Sequence, residues 1–172
     1  MGRLVFIDET WAKTNMAPLR GWCRRGARLK AKAPFGRWKT MTFIAALRHD
    51  RIDAPFLIEG SANMEVFAAY VGKVLCPELE PGDQVILDNL CIHKTPTILR
   101  LVEARGATVR YLPAYSPDMN PIELAFSKLK SHLRQAAART LDELQGAVAR
   151  SLSQFQPDHC RGFLRHAQYG TI

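Results

Sequence analysis

Two short apolar runs, each closed by an acid, constrain the fold of this chain more than any other feature. Leu4-Val5-Phe6-Ile7 leads into Asp8 and Glu9, and Val85-Ile86-Leu87 leads into Asp88. Branched and aromatic residues in an unbroken run, without polar alternation, mark a strand covered on both faces. Such a sheet needs helices on both sides, which points to an α/β domain. Carboxylates at the ends of its strands fall where open α/β sheets keep their sites.

The rest of the chain fits that frame. Residues 10–37 carry Gly21, Gly26, Pro34 and Gly36 as breaks and read as a hairpin and loop. Trp38 to Leu47 and Ala54 to Ile58 read as strands, and Val109 to Leu112 as another. Met64 to Leu75 has helical spacing, with Val66, Ala69, Tyr70 and Val74 on one side. Pro96 to Ala104 reads as a helix stopped by Gly106. After a loop from Pro113 to Asn120, helices are expected over Pro121 to Ala138, Leu141 to Phe155 and 159–168. Strands first, then strands alternating with helices, give a mixed sheet in a single domain over residues 1–172.

Hydrophobic residues make up 47% of the 172 and charged residues 23%, which excludes a disordered chain. No apolar stretch approaches the roughly 20 residues of a membrane span. Met1 to Arg3 runs straight into the first strand without a signal-peptide layout, so a soluble, cytoplasmic protein with no membrane partner is expected. Cys23, Cys76, Cys91 and Cys160 lack metal-ligand spacing and read as reduced, mostly buried thiols. His159 beside Cys160 has no second pair to complete a zinc site and reads as a helix start.

Charge is unevenly placed. The net charge is +8, yet residues 51–123 hold 6 basic and 10 acidic side chains. Between Thr10 and His49 stand ten Lys or Arg and no acid. A one-signed stretch of that length predicts a polyanionic partner. Arg20, Arg24, Arg25 and Arg28 are the candidates for contacts to a nucleic-acid backbone. Trp11, Trp22 and Trp38 punctuate the stretch; stacking on bases is open to them, with core packing the preferred reading.

Asp8, Asp88 and Glu123 are the candidate site. Phosphodiester chemistry needs metal ions that clamp the phosphate, and Mg²⁺ is held by one or two carboxylates while keeping several waters. Each acid alone has a plain structural reading. Asp8 reads as a strand end, and Asp88 as a turn residue before Asn89. Glu123 falls three residues after Asn120, with Pro121 between them, like a capping box. Asp50, Asp53, Glu59, Asp83 and Asp118 are rival acids in turn, strand-end or loop settings and rank lower.

The combination carries more than the parts. Leu112-Pro113-Ala114-Tyr115-Ser116-Pro117-Asp118-Met119-Asn120-Pro121-Ile122-Glu123 resembles the third catalytic block of mariner-superfamily transposases. Asp88-Asn89 with His93 resembles the second block, and Phe6-Ile7-Asp8-Glu9-Thr10 the first. Thirty-four residues separate Asp88 from Glu123, as in an Asp-Asp-Glu triad of this superfamily. The resemblance runs over nearly the whole chain and looks closest to the bacterial insertion-sequence branch, the six-thirty group. Arg161-Gly162-Phe163-Leu164-Arg165-His166-Ala167 is similar to the ending of that group; Ala114 departs from it, where a second proline is common.

The resemblance implies a ribonuclease H-like fold, a mixed central sheet flanked by helices. It implies two Mg²⁺ ions, replaceable by Mn²⁺, with Asp8 bridging both and Asp88 and Glu123 binding one each. It implies cleavage by water at transposon ends, then attack of the freed 3′ hydroxyl on target DNA, commonly at TA, with no covalent protein–DNA intermediate. Double-stranded DNA would be the partner, and a homodimer the active complex. Asn89 and His93 would support the site. Lys130 and Arg134, on the helical face of Glu123 and Ser127, would meet the DNA backbone. Relatives carry an N-terminal helix-turn-helix region, which this sequence lacks before its first strand; a separately encoded half is one expectation and a truncated remnant another. A non-catalytic DNA-binding regulator, or a different nuclease such as a ribonuclease H or junction resolvase, are the competing readings.

Overall fold

The computed structural model describes residues 3–18, 20–30, 32 and 34–170. The readings placed on Met1 and Gly2 lie outside them. Five strands form one mixed sheet: β1 (Leu4–Lys13), β2 (Thr40–Leu47), β3 (Ile52–Glu59), β4 (Gln84–Leu87) and β5 (Thr108–Tyr111). Their order is β3-β2-β1-β4-β5, with β1, β2 and β3 antiparallel and β4 and β5 running parallel to β1. The mixed sheet expected from the sequence is therefore present, with its two acid-ended apolar runs paired side by side at the centre.

The pleat divides the core in two. Phe6, Phe43, Ala45 and Leu47 pack against α3 (Ile122–Ala136), α4 (Leu141–Leu152) and α5 (Pro157–His166). Val5, Ile7, Ile44 and Ala46 face α1 (Met64–Tyr70) and α2 (Pro96–Glu103). Burial on both faces is what made these strands continuous apolar runs. Within α3, Ile122, Phe126, Leu129 and Leu133 are all buried, the stripe that their spacing predicts.

Several boundaries shift for physical reasons. The first strand does not stop at Asp8 but continues to Lys13, because β2 pairs with it residue by residue from Phe6 to Lys13. β3 begins two residues before Ala54. A register shift opposite Ile44 and Ala46, with Ala54 at φ 47°, lets the strand continue through a bulge. Pro55 fits there because β3 is an edge strand, where a missing N–H costs no ladder bond. The helix expected over Met64 to Leu75 is α only to Tyr70, and continues as a π turn over Val71–Leu75. The fourth helix ends at Leu152 rather than Phe155, and the last spans Pro157–His166.

His159 accepts the Gln156 N–H at 3.1 Å at the start of α5, so it serves the helix end. The cysteines are free, but only Cys76 and Cys160 are buried; Cys23 and Cys91 are exposed, against the expectation of mostly buried thiols. Among the described residues no helix is long and apolar enough to cross a membrane.

The strand lengths make the site. β4 pairs with β1 only over Leu4, Val5 and Phe6. Beyond Ile7 the two strands are no longer laddered, and the chain after β4 turns away at Asp88. α3 begins on the same side, above the unpaired half of β1.

Candidate metal and DNA site

A cleft of about 350 Å³ opens where β1 and β4 part company, and Asp8, Asp88 and Glu123 all line it. Asp8 comes from the middle of β1, Asp88 from the end of β4 and Glu123 from the first turn of α3. Residues far apart in sequence thus share one concavity. Asn89, Tyr115 and Asn120 also line it. Among the described residues no three His, Cys, Asp or Glu side chains stand close enough together to hold a metal ion between them. An open arrangement suits Mg²⁺, which leaves much of its shell to waters and substrate phosphates.

Asp8 is buried, at 6% exposure. Its Oδ1 accepts the Glu9 N–H at 2.8 Å, and its Oδ2 accepts Asn120 Nδ2 at 2.8 Å. Burial pushes its carboxyl up to about 7, a rise that the Glu9 N–H opposes and the nearby charges of Glu9, Glu123 and Asp88 reinforce. Asp8 is thus a buried carboxyl with three acids near it, and the Lys130 ammonium is the cation that its charge and that of Glu123 act on. Asn120 adds a buried Oδ1 without a hydrogen-bond partner among the described residues. Both features fit a divalent ion.

Asp88 is held differently. Its Oδ1 accepts the Leu90 N–H at 3.0 Å and contacts His93 Nδ1 at 2.5 Å. Burial acts to raise its carboxyl, but the hydrogen bonds from His93 and Leu90 win and hold it below the ordinary range. His93 is fully buried, its ring 4.3 Å from that of Phe67, and its Nε2 meets Glu9 Oε2 at 3.1 Å. Burial would lower this imidazole; the two carboxylates on its two nitrogens outweigh that and raise it to about 9.

The capping reading of Glu123 does not hold. No side chain caps α3, and the Asn120 amide turns to Asp8 instead of to the helix N-terminus. Glu123 is exposed to the cleft. Sequence reasoning missed both partners, Asn120 for Asp8 and Glu9 for His93. The Asn120 signal was present but matched a cap equally well. Glu9 gave only its place beside Asp8, because nothing local encodes a contact 84 residues away.

The rival acids are otherwise engaged. Asp53 and Asp83 pair with buried Arg48 at 2.7 and 2.8 Å. Asp50 meets Arg51, and Glu59 meets Lys39. Asp118 is exposed in a single 3₁₀ turn, Pro117–Met119.

Arg20, Arg24, Arg25 and Arg28 are exposed on the long connection between β1 and β2. Lys130 and Arg134 are half-buried on α3. Burial draws the Lys130 ammonium down, while Glu123 opposes it. The core-packing reading of the tryptophans is overturned: Trp11, Trp22 and Trp38 are 44%, 100% and 54% exposed. Trp11 lies on β1, and Trp22 and Trp38 lie on the long connection, where Met16 enters the core but residues 20–30 are exposed throughout. Trp11 is the exception in company, with Lys13 and Lys130 ammonium groups 4.7 and 4.3 Å from its ring.

The family model described as DDE superfamily endonuclease matches residues 3–145. No curated protein sequence matches the chain. Among solved structures, a pre-cleavage Mos1 transpososome superposes with a TM-score of 0.78 at 12% identity, over 98% of this chain and 54% of that one. The catalytic domain of Mos1 mariner transposase gives 0.72 at 14% identity, over 97% and 78%. The same catalytic domain with Raltegravir and Mg gives 0.72 at 13%, over 98% and 79%. The chain spans about half the length of the transposase chain in the transpososome. At such identities the likeness is one of fold, and that fold is the ribonuclease H-like one.

Proposed function

The chain belongs to the DDE superfamily endonuclease family, and from that premise we propose that it is the catalytic domain of a DNA transposase. It acts by metal-dependent strand cleavage followed by strand transfer. The observation that carries this reading is that Asp8, Asp88 and Glu123, from three separate elements, line one cleft, with the Asp8 carboxyl buried beside the other acids.

Asp8, Asp88 and Glu123 would hold two Mg²⁺ or Mn²⁺ ions. Bound there, the ions would polarise the scissile phosphate and lower the pKa of the attacking water or 3′ hydroxyl. The protein's own part is placement. Asn120 fixes Asp8 from one side and the Glu9 N–H from the other. His93 and the Leu90 N–H take up Asp88 Oδ1, which leaves Oδ2 for the cleft. Asn89, exposed at the rim, orients a water or phosphate oxygen. The basic connection carrying Arg20, Arg24, Arg25 and Arg28, together with Lys130 and Arg134 on α3, tracks the phosphate backbone of double-stranded DNA without reading sequence.

The finer reading follows the resemblance in sequence. It assigns the chain to the bacterial insertion-sequence branch, acting on transposon ends and TA targets as a homodimer at the nucleoid in the cytoplasm. The test is Asp88→Asn, which keeps size and removes a charged ligand. In a protein that also carries a DNA-recognising region, the wild-type chain should nick transposon-end DNA with Mg²⁺, and the variant should lose at least about a hundredfold, since the metal supplies several kcal/mol to the transition state. DNA affinity should stay within about twofold, because the basic groups that set it are untouched. Equal cleavage by both proteins sinks the assignment. DNA binding that blocks an active transposase, with no cleavage by the wild type, favours the regulator reading instead.

A further inference from the structure

We propose that Glu9 is a positioning residue for Asp88, acting through the buried ring of His93 from the opposite face of the sheet. The inference rests on the metal-site reading above and adds to it a residue that lies outside the triad.

Successive side chains of a strand point to opposite faces. Asp8 leaves β1 on the α3 side, where it meets Asn120. Glu9 leaves on the α1 side, where His93 lies against Phe67 of α1. Adjacent residues of one strand thus reach the same site by two routes, one direct and one through the imidazole. His93 is gripped at both nitrogens, by Asp88 Oδ1 at 2.5 Å and Glu9 Oε2 at 3.1 Å. A carboxylate only accepts hydrogen bonds, so both ring nitrogens must present an N–H to satisfy both neighbours. Glu9 therefore anchors the ring at Nε2 while Nδ1 points at Asp88 Oδ1, and the orientation of the ring sets which oxygen of Asp88 is tied down. Without Glu9 the ring would be held at Nδ1 alone and free to tilt, and Asp88 Oδ1 would lose its fixed partner.

This geometry is costly to build without a use. It puts two acids and an imidazole under the sheet, with Glu9 and His93 side chains 19% and 0% exposed. A core serving stability alone would favour an apolar contact with Phe67. The arrangement matches the outer partners of metal-bound carboxylates, whose loss costs about 10–100-fold in metal affinity.

The experiment measures Mn²⁺ binding to the metal-free chain by calorimetric titration, alongside thermal unfolding. Four variants are compared with wild type: Glu9→Gln, Glu9→Ala, Asp88→Asn and Leu144→Ala. Glu9→Gln keeps an acceptor and loses the charge, so about a tenfold weakening is expected; Glu9→Ala loses both, and the loss should approach a hundredfold. Leu144 is buried in the helical layer away from the cleft, and its variant controls for lost stability. It should unfold at lower temperature with unchanged Mn²⁺ affinity. Asp88→Asn should lose the site. If Asp88→Asn binds Mn²⁺ like wild type, the metal-site reading itself fails. If Asp88→Asn loses binding while both Glu9 variants keep it, the metal site stands and the role of Glu9 is overturned. That role is overturned equally if Leu144→Ala weakens Mn²⁺ binding as much as Glu9→Ala does. Should Glu9→Ala not fold, Glu9→Gln decides alone: a tenfold loss supports the proposal, and unchanged affinity overturns it.

Discussion

Replacing Asp8 by Asn should stabilise the metal-free protein at pH 8 and lose that advantage on acidification. In the fold this carboxyl keeps its proton up to about 7, chiefly because it is buried, whereas its ordinary value is 3.8. The folded state therefore binds the proton more tightly than the unfolded chain. The contribution of Asp8 to stability is fully present below about pH 4 and is lost as pH rises through 7. Above pH 7 the ionised group costs about 4 kcal/mol, at roughly 1.4 kcal/mol per pH unit. An Asn at position 8 removes that charge. It brings an NH₂ that must face either the Glu9 N–H or the Asn120 amide. Asn120 can turn over, because its buried Oδ1 has no partner now and would gain one. Setting about 1 kcal/mol against the exchange, the variant should be about 3 kcal/mol more stable than wild type at pH 8. At pH 4, where the charge term has nearly vanished, the exchange remains and the variant should be up to about 1 kcal/mol less stable than wild type. For a chain of this size 3 kcal/mol is roughly 6–12 °C in Tm. The assay is thermal and urea unfolding in chelator from pH 4 to 8.5, read as the difference between the two proteins so that other titrating groups cancel. Saturating Mg²⁺ should restore wild type by about 2.7 kcal/mol at a hundred times its Kd and leave the variant behind. A difference that does not change with pH, or a variant less stable at pH 8 than at pH 4 relative to wild type, refutes the reasoning.

Two further outcomes follow from charges elsewhere. Replacing Arg24, Arg25 and Arg28 together by Ala should flatten the dependence of log K for DNA on log salt by about 2.7, at about 0.9 per lost phosphate contact; an unchanged slope in filter binding would remove these residues from the interface. Arg48→Met leaves Asp53 and Asp83 without their buried partner, which should cost about 3–5 kcal/mol in urea unfolding at pH 7. The loss should shrink on acidification, because Arg48's hydrogen bonds outweigh burial and hold Asp83 below its usual range, so that its contribution is lost as pH falls through the folded value.

Much of the fold was legible because burial on both sheet faces leaves a direct mark in sequence. Val5, Phe6, Ile7, Val85, Ile86 and Leu87 could be assigned to central strands without a structure, and α3 declared its buried stripe through helical spacing. Edges were less legible. The true end of β1 depends on β2, and the bulge at Ala54 depends on a register that only pairing creates. The tryptophans misled, since size and hydrophobicity mean a core only when a segment enters one. Residues 20–30 are exposed throughout, so Trp22 has no core to enter.

The three acids show the same division. Their identity, order and spacing stand in the linear chain, and each sits next to a readable local signal. Their meeting in one cleft does not stand there. It comes from β1 outrunning its ladder with β4, so that a gap opens where α3 can lower Glu123 toward Asp8. Asn120 illustrates the limit: one sequence fits a helix cap and a clamp on Asp8 equally well, and the bond from its Nδ2 to the buried Asp8 carboxyl exists only in the fold. Glu9 and His93 mark the far end of that scale, since a contact across 84 residues and through a sheet exists only once the strands are paired.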